Sequence, residues 1–121
     1  MFKQEMVTLY GIPNCNTVKK ARDWLKEQHI DYHFHNFKKD PLEADTLQSW
    51  IESLGWEALL NKRGTTWRKL PDEVKQDINQ DKAKAIMLGN LSIIKRPVLN
   101  FNGQLNLGFS PDLYCSLFLK K

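Results

Sequence analysis

In "YGIPNCNTVKKA", residues 10–21, a cysteine follows a short apolar run and Pro13-Asn14, and precedes residues spaced as a helix. A helix start offers unpaired backbone N–H groups and a partial positive charge, and both favour thiolate over thiol. The dipole contribution is ~0.3–1 kcal/mol, up to ~2 when partly buried, which lowers a thiol pKa by less than about 1.5 units. A larger drop needs direct hydrogen bonds or a nearby cation. If the pKa falls from ~8.5 to ~6.5, the thiolate fraction at neutral pH rises about 25-fold while intrinsic nucleophilicity falls about 10-fold. The net gain in attack is only about two- to three-fold, so acidity must be joined to a site that positions a substrate. The greater benefit is as a leaving group, when a second thiol attacks a mixed disulfide on Cys15. The alternative for Cys15 is a small buried structural residue.

The local motif is Cys15-Asn16-Thr17-Val18. A CxxC pair would place its second thiol at position 18, where Val18 stands instead. Cys15 would therefore need an outside thiol such as glutathione. Cys115 could resolve a disulfide only from close by, and its place on a hydrophobic helix predicts burial. Asn14 and Thr17 are polar candidates at the helix start.

Arg96-Pro97 is the second constellation. If Pro97 faces the helix tip through a cis peptide bond, Arg96 points a permanent, forked donor towards Cys15. The plain alternative is a surface arginine before a strand-starting proline. Further candidates are weaker. His33 and His35 share one face of a strand, but no Cys, Asp or Glu set completes a metal site by spacing, so no metal is expected. Trp56 and Trp67 read as packing residues rather than a stacking platform. "NKRGTTWRKL" is expected to be a loop, either plain or closing over an anion.

The elements that must position these groups follow from periodicity. Met6 to Ile12 alternates as a strand. Val18, Ala21, Trp24 and Leu25 recur at helical spacing and predict a helix from about Cys15 to Gln28, with Asn14 as its N-cap. Ile30, Tyr32 and Phe34 alternate as a second strand, extended by Phe37 and parallel to the first. "DPLE" places Asp40 at an N-cap and Pro41 at the first helical position, and Leu47, Trp50, Ile51 and Leu54 form that helix's apolar stripe up to Gly55. "WEALLN" reads as a helical turn, and two short helices are expected at about Pro71–Ile78 and Asp81–Leu88. In "PVLNFNGQLNLGF", Asn102-Gly103 suits a two-residue type I′ hairpin turn. Ser110 then caps a last helix begun by Pro111, with Leu113, Tyr114, Leu117 and Phe118 facing inward.

This order predicts an α/β fold: a mixed four-stranded sheet with helices, in the thioredoxin-like arrangement. A helical insertion at about residues 40–90 separates its βαβ half from its ββα half. The 121 residues are expected to form a single domain, 1–121. Composition is that of a soluble globular chain, with 41% hydrophobic and 26% charged residues. No apolar run approaches the ~18–20 residues of a membrane span, and the start has no secretory apolar stretch, so a cytoplasmic location and no membrane partner are expected. The net charge of +4 is modest and spread along the chain. It favours anionic small molecules and gives no reason to expect nucleic acid. Two cysteines a long way apart do not make a secreted disulfide scaffold.

The segments "VTLYGIPNCNTVKKARDWL", "LGWEALLNKRGTTWRKL" and "IIKRPVLNF…LGFS" resemble, in order and spacing, the ArsC/Spx family of thioredoxin-fold proteins, above all its YffB-like branch. The resemblance covers residues 6 to 119. It implies that Cys15 is the redox thiol and that glutathione serves as co-substrate, with an oxidised thiol as substrate and glutaredoxin as a possible partner. In the family's arsenate reductases an arginine cradle surrounds the cysteine. Arg96 fits the position before the cis proline. Near another cradle position this chain has Asn61, with Arg63 two residues on, and no arginine follows Arg96. The incomplete cradle counts against arsenate as substrate, and Val18 removes the CxxC switch of Spx-type members that bind RNA polymerase. The resemblance thus implies a glutathione-dependent thiol reductase. Cys15 and Arg96 would be catalytic, and Asn14, Thr17, Arg63, Thr65, Thr66 and Pro97 would contact substrate or glutathione. An arsenate reductase and a polymerase-binding regulator are the alternatives.

Overall fold

A computed structural model describes residues 6–119. The chain divides into two compact units. One is made of the segments up to Lys39 and from Arg96 onward, the other of Asp40–Lys95.

The first unit holds the sheet. Strands β1 (Val7–Gly11), β2 (His33–Asn36), β3 (Val98–Phe101) and β4 (Gln104–Leu107) lie in the order β2-β1-β3-β4. β1 runs parallel to β2 and antiparallel to β3, and β3 is antiparallel to β4. Helix α1 (Asn16–Glu27) connects the parallel pair, as a βαβ crossover requires. Val7, Leu9 and Leu99 point to one face of the sheet and pack with Ala21, Trp24 and Leu25 of α1 and with Tyr114 of the last helix, Pro111–Phe118. Trp24, Phe109 and Phe118 surround the Tyr114 ring at centroid distances of 5.6, 4.6 and 6.0 Å. The mixed sheet and the thioredoxin-like order are those expected.

The hairpin turn is of the expected kind. Asn102 and Gly103 both have positive φ, 53° and 90°, the pair a type I′ turn demands. Ser110 caps the last helix by accepting the Leu113 N–H at 3.0 Å.

Asp40–Lys95 is helical: α2 (Ala44–Leu54), α3 (Trp56–Leu59), α4 (Thr65–Lys69), α5 (Asp72–Lys75) and α6 (Gln80–Gly89), then a 3-10 turn at Leu91–Ile93. Leu47, Trp50, Ile51, Leu59, Ala83, Ile86, Met87, Ile93 and Ile94 are buried. Several boundaries differ from expectation. α2 starts at Ala44 with Glu43 as N-cap, because Leu42 is drawn into the core while the chain is still extended. "TTWRK" is helical rather than looped: half-buried Trp67 lies in that turn, with the Lys62 ammonium 5.7 Å from its ring and 6.0 Å from that of Trp56. α5 is shorter than Pro71–Ile78: the backbone turns extended at Gln76, ψ 138°, and left-handed at Asp77, φ 53°.

Candidate functional site

Cys15 is the N-cap of α1, in extended conformation at φ −100°, ψ 127°. The expected cap, Asn14, sits one residue too early and is exposed. The shift has a local cause. Pro13-Asn14 make a turn after β1, the Cys15 N–H reaches back to the Ile12 carbonyl at 3.4 Å, and the Cys15 carbonyl accepts the first helical bond, from Lys19 N–H at 2.9 Å. The thiol thus occupies the place where Ser, Thr, Asp or Asn usually answers the orphan N–H groups of a helix.

The sulfur closes no cap hydrogen bond of standard geometry. It nevertheless lies within the reach of several positive groups. Partial burial pushes the thiol pKa up; the Val18 N–H, a hydrogen bond from the Arg96 side chain, the Thr17 N–H and the Arg96 charge pull it down. Together these donors outweigh burial, and the thiol lies below its ordinary value. The acidification is therefore shared between a helix end and a guanidinium, as the small size of the dipole contribution required. Cys15 is half-buried, so its sulfur is neither sealed in the core nor fully in water.

Arg96 reaches the thiol from the start of β3. The Arg96-Pro97 peptide bond is cis, and the Pro97 carbonyl accepts the Gly108 N–H at 2.9 Å, which ties it to the end of β4. Pro97 is buried and Arg96 is half-buried. The pairing of β3 with β1 brings this segment to the same end of the sheet as Cys15.

Of the residues singled out in the sequence, the structure brings Cys15 and Arg96 together. Thr17 contributes through its backbone N–H, while its side chain is exposed. Arg63, Thr65 and Thr66 lie in the Asp40–Lys95 unit. There the Arg63 N–H donates to Asn61 Oδ1 at 3.1 Å, Thr65 begins α4, and the Thr66 hydroxyl pairs with that of Ser92 at 3.0 Å. Cys115 is exposed, contrary to the expected burial. Tyr114 takes the inward position of that turn, and the next residue points about 100° away, towards solvent. Both cysteines are free. His33 is exposed, and His35 stacks at 4.9 Å from Tyr10. Among the described residues, no group of His, Cys, Asp or Glu is gathered as a metal site, and no helix is long and apolar enough to cross a membrane.

Val18 was legible in the sequence only as an apolar residue and as the missing second thiol. Its backbone N–H favours the thiolate more than that of Thr17 does. The signal for this was its place three residues after the N-cap, where a capping side chain aims.

The ArsC family matches residues 10–117. The chain is 38% identical over 113 residues to an uncharacterized protein of Haemophilus influenzae, covering 93% of this chain and 99% of that protein. It is 29% identical over 109 residues to the global transcriptional regulator Spx of Streptococcus pyogenes serotype M3, covering 88% of this chain and 81% of the regulator. Among solved structures, a YffB protein superposes with a TM-score of 0.88 at 43% identity, covering 92% of this chain and 97% of that one. An arsenate reductase (ArsC) related protein from Brucella melitensis gives a TM-score of 0.75 at 47% identity, covering 94% and 95%. With an acidified thiol at a helix start, an arginine beside it and a family match across nearly the whole chain, this protein belongs to the ArsC family.

Proposed function

We propose that the protein is a glutathione-dependent thiol–disulfide reductase that works through Cys15. The observation that carries this reading is the sulfur of Cys15 at the α1 N-cap, hydrogen-bonded by Arg96 and held below its ordinary pKa. In the first step the Cys15 thiolate attacks one sulfur of an oxidised substrate R–S–S–R′. A Cys15–S–S–R bond forms, the R–S–S–R′ bond breaks, and R′S⁻ leaves and takes a proton from water. In the second step a glutathione thiolate attacks the R sulfur, GS–S–R forms, and Cys15 leaves again as thiolate; a second glutathione thiolate then attacks the glutathione sulfur of GS–S–R, giving GSSG and RS⁻, which takes up a proton. The same N–H groups and guanidinium that hold the resting thiolate favour its departure. Arg96 orients the anionic substrate as well, and Asn14, Thr17 and Pro97 are its proposed contacts beside Cys15 and Arg96. The family resemblance adds Arg63, Thr65 and Thr66 as binding residues, which alanine substitution tests through KM. Glutaredoxin is a possible electron donor, and the reducing cytoplasm is the compartment that suits such a cycle.

The experiment is turnover of a small disulfide with glutathione, coupled to glutathione reductase, beside mass spectrometry of the protein after exposure to oxidised glutathione. A glutathionyl adduct on Cys15 and turnover lost in Cys15→Ser are expected. Absence of both would remove the reading. Likeness to an arsenate reductase related protein gives a second reading, arsenate reduction. The same assay with arsenate and glutaredoxin decides between them, and the lack of any arginine after Arg96 predicts little rate.

A further inference from the structure

Gly11, the last residue of β1, has no conformational need to be glycine. Its φ is outside the left-handed range that the backbone of Gly55, Gly103 and Gly108 occupies. Glycine within a strand weakens it, so another reason must apply. The reason is space. A Cβ at position 11 would stand 2.8 Å from Cγ2 of Val18, 3.2 Å from Cγ1 and 3.6 Å from Cβ. Neither side of this contact can yield cheaply. Val18 is fully buried, and a β-branched side chain in a helix is stiff about χ1. Gly11 is pinned by its pairing with Asn36 and by the Phe37 N–H, which donates to its carbonyl at 2.9 Å.

Val18 is also the residue whose N–H most favours the Cys15 thiolate. Resting on the reading of Cys15 as the working thiol, we propose that Gly11 is a positioning residue: its missing side chain lets the first turn of α1 seat against the end of β1, and this seating sets the distances from the sulfur to its donors. A methyl group at position 11 pushes that turn outward by some tenths of an ångström. Cys15 is held both to Ile12 before it and to Lys19 after it, while Arg96 is held at the start of β3. The displacement therefore changes either the Thr17 and Val18 N–H distances to the sulfur or the separation of the sulfur from Arg96. Both contacts favour the thiolate, so either change weakens the acidification.

The test is the pH dependence of Cys15 alkylation in a Cys115→Ser background, read by mass spectrometry. Gly11→Ala is expected to move the midpoint upward, with the alkylation rate near pH 6 falling about three-fold. The double variant Gly11→Ala/Val18→Ala removes the obstructing γ-carbons and is expected to return the midpoint towards that of the parent. Ile51→Ala, a core truncation within Asp40–Lys95, serves as the control: it lowers the melting temperature and leaves the midpoint where it was. Should Gly11→Ala fail to fold, Val18→Ile adds a carbon to the same contact from the helix side and is expected to raise the midpoint likewise. A lowered parent midpoint that is unchanged in Gly11→Ala overturns this inference alone, as does a raised midpoint that the double variant leaves in place. A parent midpoint equal to that of a small free thiol overturns the reading of Cys15 itself, and the inference with it.

Discussion

The Arg96 side chain hydrogen-bonds the sulfur of Cys15, joining the residue two positions before β3 to the N-cap of α1. Sheet pairing alone makes the two neighbours, since β1 delivers Cys15 and β3, antiparallel to it, begins beside β1's end. A guanidinium so placed adds a fixed charge and a directed donor to what the helix end supplies. Arg96→Met is expected to raise the pH midpoint of Cys15 alkylation and to lower kcat/KM for disulfide reduction by about ten-fold, the order of one charge-assisted hydrogen bond. Arg96→Lys keeps the charge without the fork and falls between. Rates equal to wild type in Arg96→Met would mean that the arginine plays no part.

Because the folded protein holds the Cys15 thiol below its ordinary pKa, folding stability depends on pH through this group. The folded state binds fewer protons than the unfolded one between the two pKa values, so stability rises with pH across that window. The contribution is complete above the pKa of an unfolded thiol, about 8.5, and is lost as pH falls through the folded value. Urea midpoints of wild type and Cys15→Ser, measured against pH, are expected to diverge in the wild type's favour as pH rises and to run parallel above about pH 9. Glutathionylation removes the thiolate and is expected to lower the urea midpoint at alkaline pH. A wild-type difference that is flat in pH would contradict the acidification.

Tyr114 is completely buried, and its hydroxyl has no hydrogen-bond partner among the described residues. Burial also pushes its pKa far up, so the group is a neutral phenol at any working pH. An unpaired buried hydroxyl costs about 1–3 kcal/mol, while the ring fills the space between Trp24 and Phe109. Tyr114→Phe keeps the ring and is expected to stabilise by about 1 kcal/mol in urea unfolding. Tyr114→Ala leaves a large cavity and is expected to destabilise by about 3–5 kcal/mol. A destabilised Tyr114→Phe would show that the hydroxyl has a partner.

Cys115 is exposed on the last helix and forms no disulfide with Cys15. It is expected to react with a bulky maleimide in the native protein, and Cys115→Ser is expected to retain full disulfide-reductase turnover. Under oxidant without glutathione, wild type is expected to form disulfide-linked dimers that Cys115→Ser reduces, as read on a non-reducing gel. Loss of turnover in Cys115→Ser would instead assign Cys115 a resolving role.

Much of this protein is legible in its residues taken in order. The alternation of β1, the stripe of Val18, Ala21, Trp24 and Leu25, the Asn102-Gly103 turn and the Ser110-Pro111 helix start are local properties, and each element formed where its pattern lay. Cys15 was marked as a candidate by its place between a strand and an amphipathic helix. What the sequence left open, or placed wrongly as with Cys115 and the start of α2, were matters decided by partners distant along the chain. Whether Cys115 faced inward depended on which residue of its turn met Trp24, and Tyr114 took that place. Where α2 began depended on where Leu42 found the core. The state of the thiol depended on which N–H groups faced the sulfur and on the arrival of Arg96 beside it. Periodicity and capping act over a few residues, so a one-dimensional pattern carries them. Burial and electrostatics depend on distances between residues far apart in the chain, and those exist only once the sheet has paired.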